Sequence, residues 1–299
     1  LPGGSEDTVS EGTAAARSTD RVLGVNAWLV FLFLYAPILL LIFFSFNDND
    51  NVAIWTEPSL RWYGEMFRND QVMAALRNSL LVALVATAVS TVLGTALAIS
   101  LERYRYRGRG TLDGLAYLPI IIPDVTMAVM LLIFFFQAFG ILDSLTGIRL
   151  TTGLHTIMLA HIAFNISFVA VVVRARIAQF DDALEEAAAD LYATRWQTFR
   201  KVTLPLIAPG VAGGALLALT LSLDDVVVTQ FVSGAGSTTL PVYVFGLVRR
   251  GVTPLINAVS VVMLVASMVL VAVSLGLQRS TAGRQRLITE PSAVYERAT

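Results

Sequence analysis

The sequence predicts an all-α membrane protein that crosses a lipid bilayer six times. Of its 299 residues, 56% are hydrophobic and only 14% are charged, and the mean hydropathy is +0.70. A soluble domain carries about a quarter charged residues, so lipid must cover much of this chain. The apolar residues fall into six runs, each reaching the roughly 20 residues that a helix needs to cross a hydrocarbon core about 30 Å thick.

Each apolar run is interpreted as one membrane-spanning helix. The runs lack the alternation of apolar and polar residues that is typical of strands in a membrane barrel. The connections between the runs are short, and none is long enough to form a soluble domain with its own core. The six predicted spans cover residues 23–46, 79–101, 114–139, 154–173, 207–232 and 255–278.

Both ends of the chain are predicted to lie outside the bilayer. Residues 1–22 are rich in Ser, Gly, Thr and acidic residues, which predicts a disordered tail. The span at 23–46 follows Arg17 and Arg21, but it is too long for a cleaved signal peptide and no small-x-small cleavage site follows it. It is therefore predicted to remain as a signal anchor. Residues 279–299 form a second polar tail.

Basic residues are distributed unevenly between the two sets of connecting segments. One set holds 15 Lys and Arg residues and the other holds 6. By the positive-inside rule, the richer set faces the cytoplasm. The chain is thus predicted to be a multi-pass plasma-membrane protein with both termini in the cytoplasm. The richer set comprises residues 1–22, 102–113, 174–206 and 279–299, and the poorer set comprises 47–78, 140–153 and 233–254.

Residue types that several other functions need are scarce. There is no cysteine, which excludes disulfides, thiolate metal sites and thiol catalysis, and the two histidines are His155 and His161. No GxxxxGK[ST] loop and no GxGxxG after a strand is present, so the chain is predicted to bind neither a nucleotide nor another cofactor itself. No nucleic-acid partner is predicted, because the four arginines between Arg103 and Arg109 are explained by membrane topology.

A polar, helix-prone segment interrupts the apolar pattern on the predicted cytoplasmic side. Residues 182–191 are mostly Ala, Leu, Glu and Asp. Thr194 is the predicted N-cap of a second short helix, which Leu204-Pro205 closes because proline removes a backbone donor. The segment 182–205 therefore predicts two short helices on the membrane face. Its alanines allow close approach of a partner, and Glu186 offers a charge to a partner's arginine.

The pattern Glu186-Ala187-Ala188-x-Asp190-Leu191, followed by Leu204-Pro205, resembles the EAA loop in permease subunits of binding-protein-dependent ABC importers. The resemblance covers at least residues 72–278 and implies the type I ABC importer permease fold. In that family the loop forms coupling helices that dock into a cleft of the ATP-hydrolysing subunit. The resemblance implies four partners, namely a sister permease, an ATPase dimer that binds the ATP, an extracytoplasmic solute-binding protein and the lipid bilayer.

One position in the loop departs from the family pattern. Tyr192 stands where the family usually has Gly, which suits a turn with φ > 0. Tyrosine adopts a positive φ only at a cost, so the turn or its docking is expected to differ at this point. The alternative interpretation of the whole segment is an ordinary amphipathic interfacial helix, because Glu-Ala-Ala alone is common.

Two adjacent carboxylates lie in the fifth predicted span. An acidic residue at the centre of a membrane helix costs about 2.5–3.5 kcal/mol on insertion scales and usually faces a cavity or a partner. If the helix begins near Pro209, Asp224 lies about 22 Å along it, in the outer half of the bilayer. Asp224 and Asp225 are about 100° apart around the helix, so both could flank a pathway, or one could face it while the other pairs with a neighbour.

Further acidic and aromatic residues suit a positively charged organic ligand. Asp124 follows Pro119 and Pro123 in the third span, where broken helices are tolerated beside a cavity. Trp62 and Tyr63 lie in the first outer loop. Aromatic faces attract the ammonium groups of a polycation through cation–π interactions, and buried carboxylates form ion pairs with them.

The stretch LSLDDVVVTQFVSG at 221–234, with Arg61-Trp62-Tyr63 and Pro123-Asp124, is similar to the second permease subunit of spermidine/putrescine importers. In that family a passage lined by carboxylates and aromatic residues admits polyamines. Carried onto matching positions, the resemblance implies substrate contacts at Trp62, Asp124, Ser222, Asp224 and Asp225.

Each of these features also has an alternative interpretation. The acid pair could form a buried ion pair with an arginine of a partner subunit. Trp62 and Tyr63 could anchor a helix at the membrane interface, and Asp124 could cap the half-helix that it begins. His161 is interpreted as a hydrogen-bonded packing residue, and the small residues at 210–218 predict close helix packing.

The sequence thus predicts a non-catalytic permease subunit of an ATP-driven importer that moves polyamines inward by alternating access. One alternative is an ABC permease for another small solute. Another is a secondary transporter that uses the acid pair for a proton or cation, which predicts inverted repeats with matched broken helices; no convincing pair of halves is present. A membrane enzyme would need a catalytic constellation, which two histidines and no cysteine argue against.

Overall fold

The computed structural model describes residues 6–52, 54–251 and 253–289, and these ranges are almost entirely helical. Their only β pairing is an isolated bridge between Asn47 and Pro58. A π-helical turn, Phe199–Thr203, joins the eighth helix to the ninth. The helices in chain order are α1 (Glu6–Phe44), α2 (Arg61–Arg68), α3 (Asp70–Arg103), α4 (Arg109–Ile121), α5 (Asp124–Thr146), α6 (Leu154–Ile177), α7 (Ala183–Asp190), α8 (Arg195–Thr198), α9 (Leu204–Asp224), α10 (Val227–Val232), α11 (Leu240–Arg250) and α12 (Pro254–Thr289).

The helices confirm the predicted class of helical membrane protein. Among the described residues, five helical segments are long and apolar enough to cross a membrane, and they lie in α1, α3, α5, α6 and the run from α8 through α9. The sixth predicted span, 255–278, lies in α12. Its described apolar part, Pro254–Val269, is shorter than the five segments above. Each predicted span therefore corresponds to helix in the structure.

Two of the predicted spans are broken helices. The run at 114–139 is divided between α4 and α5 at Pro123, because proline lacks a backbone donor and disfavours helical backbone in the residue before it. The run at 207–232 is divided between α9 and α10 at Asp225, whose extended backbone (φ −65°, ψ 126°) ends α9. An acidic residue flanks each break.

The predicted disordered tail is largely helical in the structure. Helix α1 begins at Glu6 and runs without interruption into the apolar span. Residues 6–22 contain no proline and include three consecutive alanines, which are good helix formers, so the span helix extends backwards through them. At the other end α12 continues to Thr289, into the predicted polar tail, and residues 290–299 lie outside the described residues.

Internal contacts divide the chain into two compact units, of which the first comprises residues 1–66 and 252–261. Its connection after α1 is organised by the buried side chain of Asn47. The Asn47 Nδ2 donates to the carbonyl of Ile54 at 2.7 Å, and its Oδ1 accepts from the amide of Thr56 at 3.1 Å. Trp62 and Met66 of α2 are buried in this unit.

The second unit comprises residues 67–251 and 262–299, and α3, α6 and α9 pack together at its centre. A Cβ atom on Gly94 of α3 would lie 2.7 Å from the Cβ of Val169 on α6, and one on Gly214 of α9 would lie 3.2 Å from its Cγ1. The absence of side chains at these positions lets the three helices approach closely. This confirms the close packing predicted for the small-residue face at 210–218.

A second apolar cluster joins α5, α6 and α10. Its fully or almost fully buried members include Ala128 and Phe135 of α5, Phe164 of α6, and Val228 and Val232 of α10. The short helix α10 is thereby held against α5 and α6. This packing places the break between α9 and α10 beside α6.

Candidate functional site

Helix α7 carries the first half of the predicted coupling loop and ends in a Schellman turn. The amide of Tyr192 donates to the carbonyl of Ala189 at 2.9 Å, and that of Ala193 donates to the carbonyl of Ala188 at 3.0 Å. This pattern needs a left-handed residue after the helix, and Tyr192 has a φ of 59°. The turn that glycine would favour is therefore present, at a cost of roughly 1–2 kcal/mol for a residue with a Cβ.

The second half of the loop follows the predicted N-cap. The Thr194 Oγ1 accepts from the amide of Gln197 at 3.3 Å, and the Gln197 Oε1 accepts from the amide of Thr194 at 2.8 Å, which makes a capping box. The sequence predicts that Leu204-Pro205 closes this helix. That prediction is wrong, because the two residues are the first residues of α9. They follow the π-helical turn directly, and the helix continues from Arg195 to Asp224.

The outer surface of the loop is exposed in the single chain. Helix α7 has no buried residue, and Glu186 makes no side-chain hydrogen bond or ion pair within the described residues. Leu191 is 81% exposed, Tyr192 is 96% exposed and Trp196 is 67% exposed. Of the other predicted loop residues, Ala188 is half-buried and the rest are exposed, namely Ala187, Asp190, Leu204 and Pro205.

The inner surface of the loop is held by Glu185, the neighbour of the predicted residue Glu186. The Glu185 Oε2 lies 2.5 Å from the Nη1 of Arg103, the last residue of α3. Its Oε1 accepts a hydrogen bond from the Oγ1 of Thr203, at the end of the π-helical turn. Glu185 therefore ties α7 to two other elements.

The carboxylate of Asp225 is fully engaged inside the chain. Its Oδ1 accepts from the amide of Val228 at 3.3 Å, and its Oδ2 accepts from the amide and the hydroxyl of Thr229, both at 2.7 Å. These bonds satisfy amides in the first turn of α10 that have no helical partner. Asp225 thus stabilises the start of α10 and the break that precedes it.

A buried histidine completes this polar cluster. His161 is fully buried, its Nδ1 lies 2.6 Å from the Ser222 Oγ, and its Nε2 lies 2.9 Å from the Thr229 Oγ1 and 3.3 Å from the Asp225 Oδ2. Because the Thr229 hydroxyl donates to Asp225, it accepts from Nε2–H, and Nδ1 accepts from Ser222. His161 is therefore a hydrogen-bonded packing residue, as the sequence predicts.

Asp224 has very different surroundings from its neighbour. It is the last residue of α9, its side chain is exposed, and it forms no ion pair among the described residues. The C-terminal end of a helix carries partial negative charge, which disfavours an anion there, and the Asp225 carboxylate adds to this repulsion. No charge of opposite sign in the part of the chain that the structure describes thus compensates Asp224.

The remaining predicted substrate residues are not all joined to this cluster. Ser222 is buried and bonded to His161, while Asp124 is exposed in the first turn of α5. Asp124 suits the positive end of the α5 dipole, and no hydrogen bond of its side chain is found among the described residues. Trp62 belongs to the first unit, is 8% exposed, and carries the Cζ of Arg61 at 4.7 Å from its ring centroid.

A model of one family, described as the binding-protein-dependent transport system inner membrane component, matches residues 90–286. The chain belongs to this family. This permease is 44% identical over 237 residues to the putrescine transport system permease protein PotI of Escherichia coli K12. The match covers 79% of this chain and 83% of PotI. It is 39% identical to the spermidine/putrescine transport system permease protein PotC of Haemophilus influenzae, covering 83% and 92%.

Solved structures show that the permease shares the fold of type I ABC importer permeases. It resembles the crystal structure of a bacterial ABC transporter involved in the import of the acidic polysaccharide alginate, with a TM-score of 0.73 and 21% identity. The likeness covers 92% of this chain and 99% of that chain. The predicted fold is confirmed.

Sequence reasoning about the permease missed Glu185, Arg103, Thr203 and Thr229. Glu185 and Glu186 are adjacent glutamates in one helix, and only the tertiary contact to α3 distinguishes them. A signal for Thr229 was present, since Asp225 and Thr229 are four residues apart and Ser, Thr and Asp often bond to nearby backbone.

Proposed function

We propose that the permease is the membrane subunit of an ATP-driven importer that moves polyamines inward. Its partners would be a sister permease, an ATPase dimer and an extracytoplasmic solute-binding protein, and both of its termini would lie in the cytoplasm. The observation that carries the substrate class is the exposed, uncompensated carboxylate of Asp224 at the end of a membrane-spanning helix. The names of the PotI and PotC relatives support the same class.

An ammonium group is the natural counterpart of Asp224. A carboxylate in a membrane span is costly unless it is paired, and a charge-assisted hydrogen bond to a passing amine compensates it. Asp225 is proposed to act differently from the sequence prediction, since its hydrogen bonds to Val228 and Thr229 hold α10 in place. In this proposal Asp224 contacts the substrate and Asp225 shapes the break that presents it.

The aromatic residue Trp62 supports a cationic substrate in a second way. The guanidinium of Arg61 lies over its ring, so the ring already binds one cation, and an ammonium group of the substrate would take that place. Trp62 and Asp124 are kept as proposed substrate contacts in conformations where the passage is open.

The exposed surface of the coupling loop is the proposed contact with the ATPase. It combines the unpaired carboxylate of Glu186 with three large exposed side chains, Leu191, Tyr192 and Trp196. A buried aromatic residue surrounded by weaker contacts is typical of protein interfaces. Ala187, Ala188, Asp190, Leu204 and Pro205 are proposed to shape the same surface.

The substrate proposal is tested by comparing Asp224→Asn with Asp225→Asn in the intact transporter. Removing the charge at Asp224 should lower putrescine uptake at least about tenfold, because a hydrogen bond to a charged group contributes about 1.5–3 kcal/mol, while the assembled complex is recovered in wild-type amount. Asp225→Asn should instead lower the amount of folded complex, since an amide offers fewer acceptors to Val228 and Thr229.

Asp143→Asn is the matched control. This aspartate lies near the end of α5 in an exposed ion pair with Arg149 at 3.4 Å, and the same change should leave uptake and assembly unaltered. If Asp224→Asn transports putrescine like the control, Asp224 is not a substrate contact. If an uncharged solute is taken up in place of putrescine and spermidine, the proposed substrate class is wrong.

A further inference from the structure

Glu185 joins three elements at the cytoplasmic end of the second unit. One of its oxygens contacts Arg103 at the end of α3, and the other accepts from Thr203 at the start of α9. The side chains are only 20% exposed for Arg103 and 28% exposed for Glu185. An ion pair that is shielded in this way and supported by a further hydrogen bond is stronger than an exposed surface pair.

The Arg103 guanidinium is enclosed by the loop on several sides. In addition to Glu185, its Nη1 lies 3.3 Å from the Asp182 Oδ1, and its Cζ lies 4.6 Å from the ring centroid of Phe180. All three partners lie within residues 180–185, just before and within α7. Three residues of this segment thus contact the side chain of the last residue of α3.

These side chains bridge a space that is otherwise loosely filled. A cavity of about 450 Å³ lies between the loop and the end of α3, and both Arg103 and Glu185 line it. Helix α7 itself has no buried residue. The loop is therefore connected to α3 through polar side chains, and not through a packed apolar surface.

The contact between Glu185 and Arg103 connects α7 to a helix that is not its neighbour along the chain. Covalently, α7 continues only from α6 and, through α8 and the π-helical turn, into α9. The contact of Glu185 with Arg103 adds α3. The preceding residue on α3, Glu102, pairs with Arg174 of α6 at 2.7 Å. Since α3, α6 and α9 pack together, the contacts of Glu185 connect the loop to all three central helices.

We propose that Glu185 is the positioning residue that transmits movement of the coupling loop to α3 and α9. The inference rests on the proposed function, in which an ATPase pushes on the exposed side of the loop. The two adjacent glutamates then have separate roles, with Glu186 facing the ATPase and Glu185 facing the membrane helices. The π-helical turn that ends at Thr203 is the proposed joint, since π-helical turns occur frequently at functional sites.

The test measures putrescine molecules transported per ATP hydrolysed, using the complete transporter in proteoliposomes. Arg103→Ala and Glu185→Ala should each lower this ratio about fivefold, in the range expected for residues that carry coupling between sites. ATP hydrolysis and co-purification of the ATPase should remain. The double variant should lose no more than the worse single variant, because the two residues act through one contact.

Arg105→Ala is the matched control, since it removes the same charge two residues further along the chain, between α3 and α4, and Arg105 is exposed. It should keep the wild-type ratio. Thr203→Val, which removes one hydroxyl with little change of shape, should lower the ratio even if the alanine variants fold poorly. Wild-type ratios in the Thr203 and Arg103 variants, additive losses in the double variant, or loss of the ATPase would each overturn the inference.

The wild-type complex separates this inference from the proposed function. Putrescine-dependent ATP hydrolysis and uptake by the unaltered transporter test the function alone. Their absence would overturn the function and the inference together. Their presence, with unchanged coupling in the Glu185 variant, would overturn the inference only.

Discussion

Asp224 and Asp225 are identical residues side by side, but their carboxylates meet opposite surroundings. Asp225 accepts hydrogen bonds from Val228 and Thr229 and lies beside His161, whereas Asp224 is exposed at the negative end of α9. One carboxylate is stabilised by contacts within the chain, and the other has no ion-pair partner among the described residues. A site for a cation can be built in this way without adding a second unpaired charge.

Tyr192 gives a prediction about the stability of the coupling loop. Its side chain is 96% exposed and its φ is 59°, so it contributes backbone strain and almost no packing within the chain. Tyr192→Gly should stabilise the Schellman turn by roughly 0.5–1 kcal/mol, because glycine adopts positive φ readily although its unfolded chain is more flexible. Slower hydrogen exchange of the amides at positions 192 and 193 in the isolated glycine variant than in the isolated wild-type permease would show this.

Tyr192→Ala is the control for that measurement. Alanine removes the exposed ring but keeps the Cβ that makes a positive φ costly, so its exchange rates should match those of the wild type. Equal rates in the glycine and alanine variants would contradict the strain account. In the assembled transporter the same two variants would also lose any contact that the ring makes with the ATPase.

The sequence alone could locate the acid pair, but it could not show that Asp224 and Asp225 have different surroundings. From the residues alone, both carboxylates could flank a pathway, or one could pair with a neighbour. The second arrangement is found for Asp225, and its neighbours include His161, which lies 64 residues earlier in the chain and can be connected only by the fold. The same limit applies to Glu185, whose partner Arg103 is 82 residues away.

Helices α9 and α10 show how a break can be made without proline. Helix α9 ends where the Asp225 backbone turns extended, and the Asp225 side chain then bonds to the amides that begin α10. Burial of Val228 and Val232 against α5 and α6 holds the short helix in place. The break therefore depends on tertiary contacts as well as on local sequence.

This difference explains which breaks the sequence predicts. The break between α4 and α5 carries a local signal, since Pro123 interrupts the helix whatever surrounds it. The run at 207–232 is apolar on both sides of its break and has no proline there, so it reads as one continuous span. The existence of the helices was predictable from apolar length, but this interruption was not.

Close packing of α3 against α6 gives a prediction at the scale of helices. A Cβ at Gly94 would lie 2.7 Å from the Val169 Cβ and 2.8 Å from the carbonyl oxygen of Ile166, so the helices would have to separate. Gly94→Ala should lower the free energy of unfolding by about 1–3 kcal/mol, the usual cost of overpacking a core. Thermal unfolding of the purified permease in detergent measures this change.

Gly110→Ala provides the comparison within a helix. A Cβ on Gly110 of α4 would meet nothing within 4 Å, so this variant should unfold at the wild-type temperature or slightly above it. An unchanged unfolding temperature for Gly94→Ala would mean that α3 and α6 are not packed as closely as described.

At the scale of the molecule, one helix connects the coupling loop to the proposed substrate site. Helix α9 begins one residue after Thr203, which bonds to Glu185, and ends at Asp224 after 21 residues, or about 30 Å. In the proposed function, a displacement at the Thr203 end of α9 would move the exposed carboxylate at its other end. This arrangement suits a subunit that converts hydrolysis by a partner into movement of a binding site.

In the proposed function, ATP hydrolysis by a partner drives inward movement of a polyamine through this permease. The most direct measurement is uptake of radiolabelled putrescine by proteoliposomes that contain the complete transporter, with the solute-binding protein outside and ATP inside. Uptake that requires enclosed ATP and persists when proton and sodium gradients are abolished is the predicted result. Uptake driven by an ion gradient in the absence of ATP would contradict the account.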